Sequence, residues 1–188
     1  MSEKLQIHDS FWLLLATILL IDTEMVFPAF LFCAAVHELG HFIMIHLFKG
    51  TIQCFHISAA GGMMQYQLPR LSHQADLCIA LGGPLFGLLL AYGASLAHAQ
   101  LIAGASLLLS VFNLLPIPPL DGGRALESLF FPGHAFPKAI AYFFAVLVFF
   151  GGIYLGIAHN GWGLAVMGLL LVFEQQIGLQ SAYIQGKI

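Results

Sequence analysis

Charge is what this chain most conspicuously lacks. Asp, Glu, Lys and Arg make up 8% of its 188 residues and hydrophobic residues 60%, whereas a soluble domain carries roughly a quarter charged residues. Such a chain cannot cover a globule with solvated side chains, so a soluble protein is excluded and the bilayer is its expected surroundings. Basic residues number six and lie scattered, with a net charge of −3. That leaves no electrostatic footprint for nucleic acid, which is not an expected partner. Cysteine is almost absent: Cys33, Cys54 and Cys78 are odd in number and sit in or near apolar segments, which excludes a disulfide framework. Linkers, low-complexity tracts and repeats are missing too, so residues 1–188 are expected to form one membrane-embedded domain. The first apolar run has no small-residue cleavage site and is followed by Asp22 and Glu24, so residues 11–21 read as a retained helix rather than a signal peptide.

What is present is a series of apolar runs. Six candidate spans cover roughly 10–22, 25–48, 76–98, 101–119, 137–157 and 160–178, each crossing needing about 20 residues. Six crossings put Lys4, Lys49, Arg70, Arg124, Lys138 and Lys187 on one side, and leave Asp22 and Glu24 on the other. Because Lys and Arg stay cytoplasmic, both termini are expected inside a multi-pass protein of the cell membrane. Between spans two and three, residues 51–68 read as a β-hairpin: Thr51, Ile52, Cys54, Phe55 and Ile57 favour strand, Gly61 and Gly62 offer a turn, and Met64, Tyr66 and Leu68 alternate with polar partners. It carries no charge, so it is expected to dip into the interface or the protein interior. An ordinary cytoplasmic loop is the alternative. The fold class expected is an all-α polytopic membrane protein with about six transmembrane helices and a small membrane-associated hairpin.

The second span contains "HELGH", residues 37–41. His37 and His41 are four apart, so on a helix both imidazoles project from one face and can grip one ion. Glu38 sits about 100° around from His37, near such a metal but not aimed at it. This suits a zinc hydrolase, in which the metal activates water and polarises a carbonyl while the carboxylate moves the proton. Three ionisable residues inside a span cost about 2.5–3.5 kcal/mol each on insertion scales, so they call for an ion, a partner or a water cavity. Packing and a non-catalytic proton path stay open as readings of the histidines alone.

A catalytic zinc wants a third protein ligand. Asp121 stands out because it lies in "NLLPIPPLDGGR", residues 113–124: three prolines end a helix and two glycines let the backbone turn sharply after the carboxylate. Glu127 is the runner-up. Asn113 either donates to substrate or satisfies backbone groups freed by the helix break. Gly83 with Gly87, and Gly152 with Gly156, have GxxxG spacing, read as close helix packing within the chain before dimerisation.

"HELGH" together with "NLLPIPPLDGG" resembles the site-2 protease family of zinc intramembrane metalloproteases. "AAGGMMQYQ", "ALGGPLFG" and "VFEQQ" make the resemblance strongest to the branch that processes membrane-tethered sigma-factor precursors in sporulation. The resemblance implies that His37, His41 and Asp121 bind one Zn2+, that Glu38 is the catalytic base, that Asn113 assists, and that spans two to four form a three-helix catalytic core. It implies a membrane-tethered protein substrate, a lipid bilayer around the chain and a regulatory membrane partner. The CBS or PDZ domain typical of relatives is not expected here. The hairpin, with Gly61, Gly62 and Met64, would bind substrate by strand addition. Two other readings stand beside this one: a proton or ion transporter using the His/Glu cluster as a relay, and a catalytically dead binding relative.

Overall fold

The computed structural model describes residues 5–7, 9, 26–58, 61–69, 72–130, 138–159 and 164–173. The expected first span, 10–22, lies outside the described residues, as do the ends of the sixth. The chain divides into two compact units, Met1–Asn113 and Leu114–Ile188.

The first unit holds β1 (Leu5–Ile7), α1 (Val26–Leu47), β2 (Thr51–Ser58), β3 (Gly61–Gln67), α2 (His73–Leu96) and α3 (Gln100–Asn113). With 22 and 24 residues and mean hydropathies of 1.5 and 1.9, α1 and α2 are long and apolar enough to cross a membrane. Their outer faces expose Phe32, Leu39, Phe42, Leu89 and Tyr92. Lipid tails are as apolar as these side chains, so such helices associate through close packing rather than through exclusion of water. The buried stripe of α1 is Cys33, His37, Gly40, His41 and Ile45, a spacing that keeps one helical face turned inward.

Glycine makes the close packing. A Cβ at Gly40 would overlap the carbonyl of Gly82, and one at Gly82 would meet Met44 and the Gly40 backbone. The backbones of α1 and α2 therefore touch. One turn along α2, Gly87 faces the Ser110 hydroxyl of α3, and Ser106 Oγ donates to the Gly87 carbonyl at 2.8 Å while Ser110 Oγ donates to that of Ser106 at 2.7 Å. The GxxxG pair of α2 is thus used within the chain, as expected.

Helix ends follow local chemistry. Ser72 caps α2, its Oγ accepting from Ala75 N–H, which starts the helix three residues before the apolar run. Lys49 and His98 have φ of 56° and 58° and close α1 and α2 by the same double hydrogen bond: Gly50 N–H to Ile45 O with Lys49 N–H to His46 O, and Ala99 N–H to Ala94 O with His98 N–H to Ser95 O. The second closure turns the chain straight into α3.

The hairpin forms as expected, with two differences. Gly61 and Gly62 are not its turn: they begin β3 and pair with Ser58 and Ile57. Glycine accepts the extended backbone, and a two-residue connection is enough to join the strands. The sheet also has a third strand, since β1 pairs in parallel with β2 along Leu5, Gln6 and Ile7, giving the order β1-β2-β3. A lone hairpin is marginal in water, and three residues are too short a signal to read from sequence.

The second unit holds α4 (Asp121–Phe130) and α5 (Lys138–His159), followed by α6 (Leu164–Phe173). Residues 138–159 match the expected fifth span, and Ala139–Ala158 is long and apolar enough to cross a membrane. Gly152 presses on the Ala165 backbone and Gly168 on that of Phe149, so this glycine too serves packing within the chain. The expected span 101–119 stops short: α3 ends at Asn113, because Pro116, Pro118 and Pro119 have no N–H to continue it.

Glycines facing backbone and glycines facing open space should respond differently to one methyl group. Gly40→Ala or Gly82→Ala should lower detergent-solubilised stability by about 1–3 kcal/mol through overpacking. Gly93→Ala, with nothing within 4 Å of the added carbon, should leave the melting temperature unchanged; thermal unfolding of the three variants checks the contrast.

Candidate metal centre

The HELGH turn of α1 lies on its inward face. His37 and His41 are 4% and 7% exposed, their rings cross at 76° with centroids 5.0 Å apart, and their Nε2 atoms stand 3.3 Å from each other. His41 Nδ1 lies 2.8 Å from the Ile79 carbonyl, which only accepts, so Nδ1 carries the proton and Nε2 keeps its lone pair. A backbone carbonyl holding one ring nitrogen is the usual way a metal-ligating histidine is oriented. Two nitrogens on a tetrahedral zinc, each about 2.0–2.1 Å from it, stand about 3.3 Å apart. The pair has that spacing.

Space for an ion comes from α2. A Cβ at Gly83 would overlap Nε2 of both histidines, so only glycine leaves the volume open between them. Pro84 follows inside the helix, where it has no N–H to give to the helix ladder. "GGP" reads from sequence as a bend at the start of a span; its facing of the histidines was not legible there, because it depends on how α1 and α2 dock.

Asp121 is 7% exposed and opens α4. Leu120 N–H bonds to Ile117 O and Arg124 N–H to Leu120 O, so the segment after the prolines tightens directly into the helix. The carboxylate therefore sits in a first turn, where the helix dipole favours negative charge. Arg124 lies one turn on, its Nη1 3.9 Å from Asp121 Oδ1. The glycine pair behind Asp121 does not make a sharp turn, as its sequence suggests. Gly122 and Gly123 are helical and buried, and side chains there would overlap the Leu114 carbonyl and Pro118, so they let the head of α4 fold against the break.

The candidate ligands are His37 and His41 of the first unit and Asp121 of the second, and each of the three is buried. Two imidazoles and a carboxylate are a donor set that fits zinc with a position left open. Glu127, the runner-up carboxylate, is half-buried on α4. Glu38, next to His37, is half-buried, and so is Asn113, whose Nδ2 donates to Leu109 O at 2.9 Å; the amide thus serves its own helix end. His46 is exposed, as its offset from the stripe predicts. Gly61, Gly62 and Met64 all lie in β3.

The chain is similar to known proteins in sequence and in fold. The family model for peptidase family M50 matches residues 93–154, a stretch that includes Asn113 and Asp121. The chain is 28% identical over 150 residues to stage IV sporulation protein FB of Bacillus subtilis, covering 72% of this chain and 51% of that one. It is 29% identical over 113 residues to a Synechocystis protein named as a zinc metalloprotease, covering 53% of this chain and 30% of that one. The chain thus spans about half the length of the first relative and less than a third of the second. Its fold is that of the site-2 protease from Methanocaldococcus jannaschii, with a TM-score of 0.67 at 20% identity over 92% of this chain and 88% of the other. The chain is thus similar to peptidase family M50 over residues 93–154 and shares the fold of a site-2 protease. A transporter reading is not favoured by any of these matches.

If Gly83 keeps the ion's place open, Gly83→Ala should keep its helical content and lose metal, because the added carbon meets ring ends that can move rather than backbone. Elemental analysis should find about one zinc per wild-type chain and less than about a tenth of that in the variant.

Proposed function

We propose that this chain is an intramembrane zinc endopeptidase that cuts a membrane-tethered protein within or near its membrane segment and releases a product to the cytoplasm. The observation that carries the proposal is the facing pair of Nε2 atoms at 3.3 Å over Gly83, to which the buried Asp121 carboxylate is proposed as the third ligand. His37, His41 and Asp121 are the protein ligands of one zinc. When bound, such an ion makes water acidic enough to attack at neutral pH and polarises the carbonyl attacked.

The rest of the chemistry belongs to side chains. Glu38 lies next to His37 but about 100° around α1, so its carboxylate stands beside the ligands without joining them. It takes the proton of the attacking water and delivers it to the leaving amine nitrogen. Asn113 has spent one amide hydrogen on Leu109 and offers the other to the substrate. A transmembrane helix hides its carbonyls in its own hydrogen bonds, so a scissile segment must be drawn out straight. Strand addition beside β3, along Gly61, Gly62 and Met64, does this; support comes from the order β1-β2-β3, which puts β3 at the side of the sheet away from β1.

The chain is a multi-pass protein of the cell membrane with both termini cytoplasmic. What supports this is that Lys49 directly follows the end of α1, the side that the basic-residue rule assigns to the cytoplasm. The same orientation gives the metal position its shorter route to cytoplasmic water. Pro-sigma factors or other tethered regulators are the substrate class, by likeness to the sporulation protein, and a second membrane protein regulates access.

Purified wild-type chain should hold about one zinc and cleave at least one member of a panel of single-span proteins carrying a fluorescent cytoplasmic tail. His37→Ala and Asp121→Ala should lose the metal, whereas Glu38→Gln should keep it and cleave about 100- to 10,000-fold more slowly. Metal-free protein that conducts protons across vesicles, or Glu38→Gln turnover at the wild-type rate, would refute the proposal.

A further inference from the structure

The small sheet hangs from the helices of its unit by two kinds of attachment. One is the chain itself, which leaves α1 through Phe48–Gly50, where a side chain at Gly50 would meet Ile45 and Leu68, and which passes from β3, ending at Gln67, to α2, starting at His73. The other is a side-chain hydrogen bond: Tyr66 of β3 donates its hydroxyl to Asp76 Oδ1 at 3.0 Å. Both residues are half-buried, and Asp76 belongs to the first turn of α2. A carboxylate is favoured there by the helix dipole, and a phenol bonded to a carboxylate is among the stronger hydrogen bonds.

The two ends of this bond sit on elements that matter. Asp76 lies seven residues before Gly83 on α2, the helix that leaves room between the histidines. Tyr66 lies two residues after Met64 on β3, so the two side chains share one face of the strand. Holding Tyr66 therefore sets the tilt of the whole strand relative to α2.

We propose that Tyr66 and Asp76 are positioning residues: their bond latches the sheet to α2, so that β3 receives an extended protein segment in one register and at one angle to the metal position. The inference rests on the peptidase reading above and adds to it the contact that aligns substrate. Neither residue touches the reacting atoms. Opening the latch leaves ligands and base intact, while the strand that receives substrate is freed to shift against α2 on its chain connections.

The test uses full-length chain in detergent with whichever fluorescent single-span reporter the wild type cleaves, comparing Tyr66→Phe, Asp76→Ala and Asp76→Asn. Tyr66→Phe and Asp76→Ala should raise KM about tenfold and leave kcat within about twofold, the size expected when a hydrogen bond to a charged group is lost. Zinc content and melting temperature should match the wild type. Asp76→Asn keeps an oxygen that accepts the phenol and should restore the wild-type KM. Amide hydrogen exchange in β3 should quicken in the first two variants and not in the third. Unchanged KM in Tyr66→Phe, or a joint loss of kcat and zinc, would overturn the latch. Should wild-type chain hold zinc and cleave no reporter, the peptidase reading fails instead. The latch then stands or falls on amide exchange, and equal β3 rates in all four proteins would reject it.

Discussion

Gly40 and Gly82 bring the backbones of α1 and α2 into contact, and the remaining features of the first unit are arranged around that approach. In a bilayer no water needs to be expelled from between two apolar helices, so their association depends on how many atoms come within van der Waals range. Two glycines at one crossing supply that range. The same approach carries the neighbouring Gly83 up to His37 and His41, and brings the Ile79 carbonyl within 2.8 Å of His41 Nδ1. Packing and chemistry are therefore not separable here: a wider crossing would remove the carbonyl that orients the ring together with the contacts that hold the helices.

Prolines and glycines act in opposite senses at the head of α4. Pro116, Pro118 and Pro119 prevent α3 from continuing past Asn113, while Gly122 and Gly123 let α4 begin immediately and press against the broken segment. Backbone that is not helical is tolerated at membrane depth only where it is covered or meets water. The outcome is a carboxylate at a helix N-terminus, partly countered by Arg124, in a chain with few charges to place. For the buried histidines, an ion would offset the desolvation that burial imposes on each of them.

The sheet solves a different problem. Helices cannot offer main-chain hydrogen bonds to a partner, since their own ladders use them; strands can. Three short strands, one drawn from the N-terminal segment, make a platform stable enough to keep an edge strand in shape. Its bond from Tyr66 to Asp76 joins that platform to α2, the helix whose Gly83 lies against His37 and His41.

Much of this was legible in the residues. The three long helices fall within a few residues of their apolar runs, His37 and His41 share a face because they are four apart, and β2 and β3 lie where β-branched and alternating residues stand. These are properties of spacing along the chain, which local geometry converts directly into faces and strands. Four features were not legible: β1 beside β2, Gly61 and Gly62 as strand rather than turn, Gly122 and Gly123 as packing rather than turning residues, and Gly83 with Ile79 as the walls of the metal position. A glycine carries no mark of which neighbour it makes room for, and a carbonyl no mark of which ring it will hold. The sequence alone determined a chain of long apolar runs with a pair of histidines spaced to grip one ion and a candidate third ligand beyond a helix break. Only the docking of α1 on α2, joining residues about 40 positions apart such as His41 and Ile79, decided which tautomer one ligand takes and where an ion has room, because those depend on distances between helices that spacing within a helix does not encode.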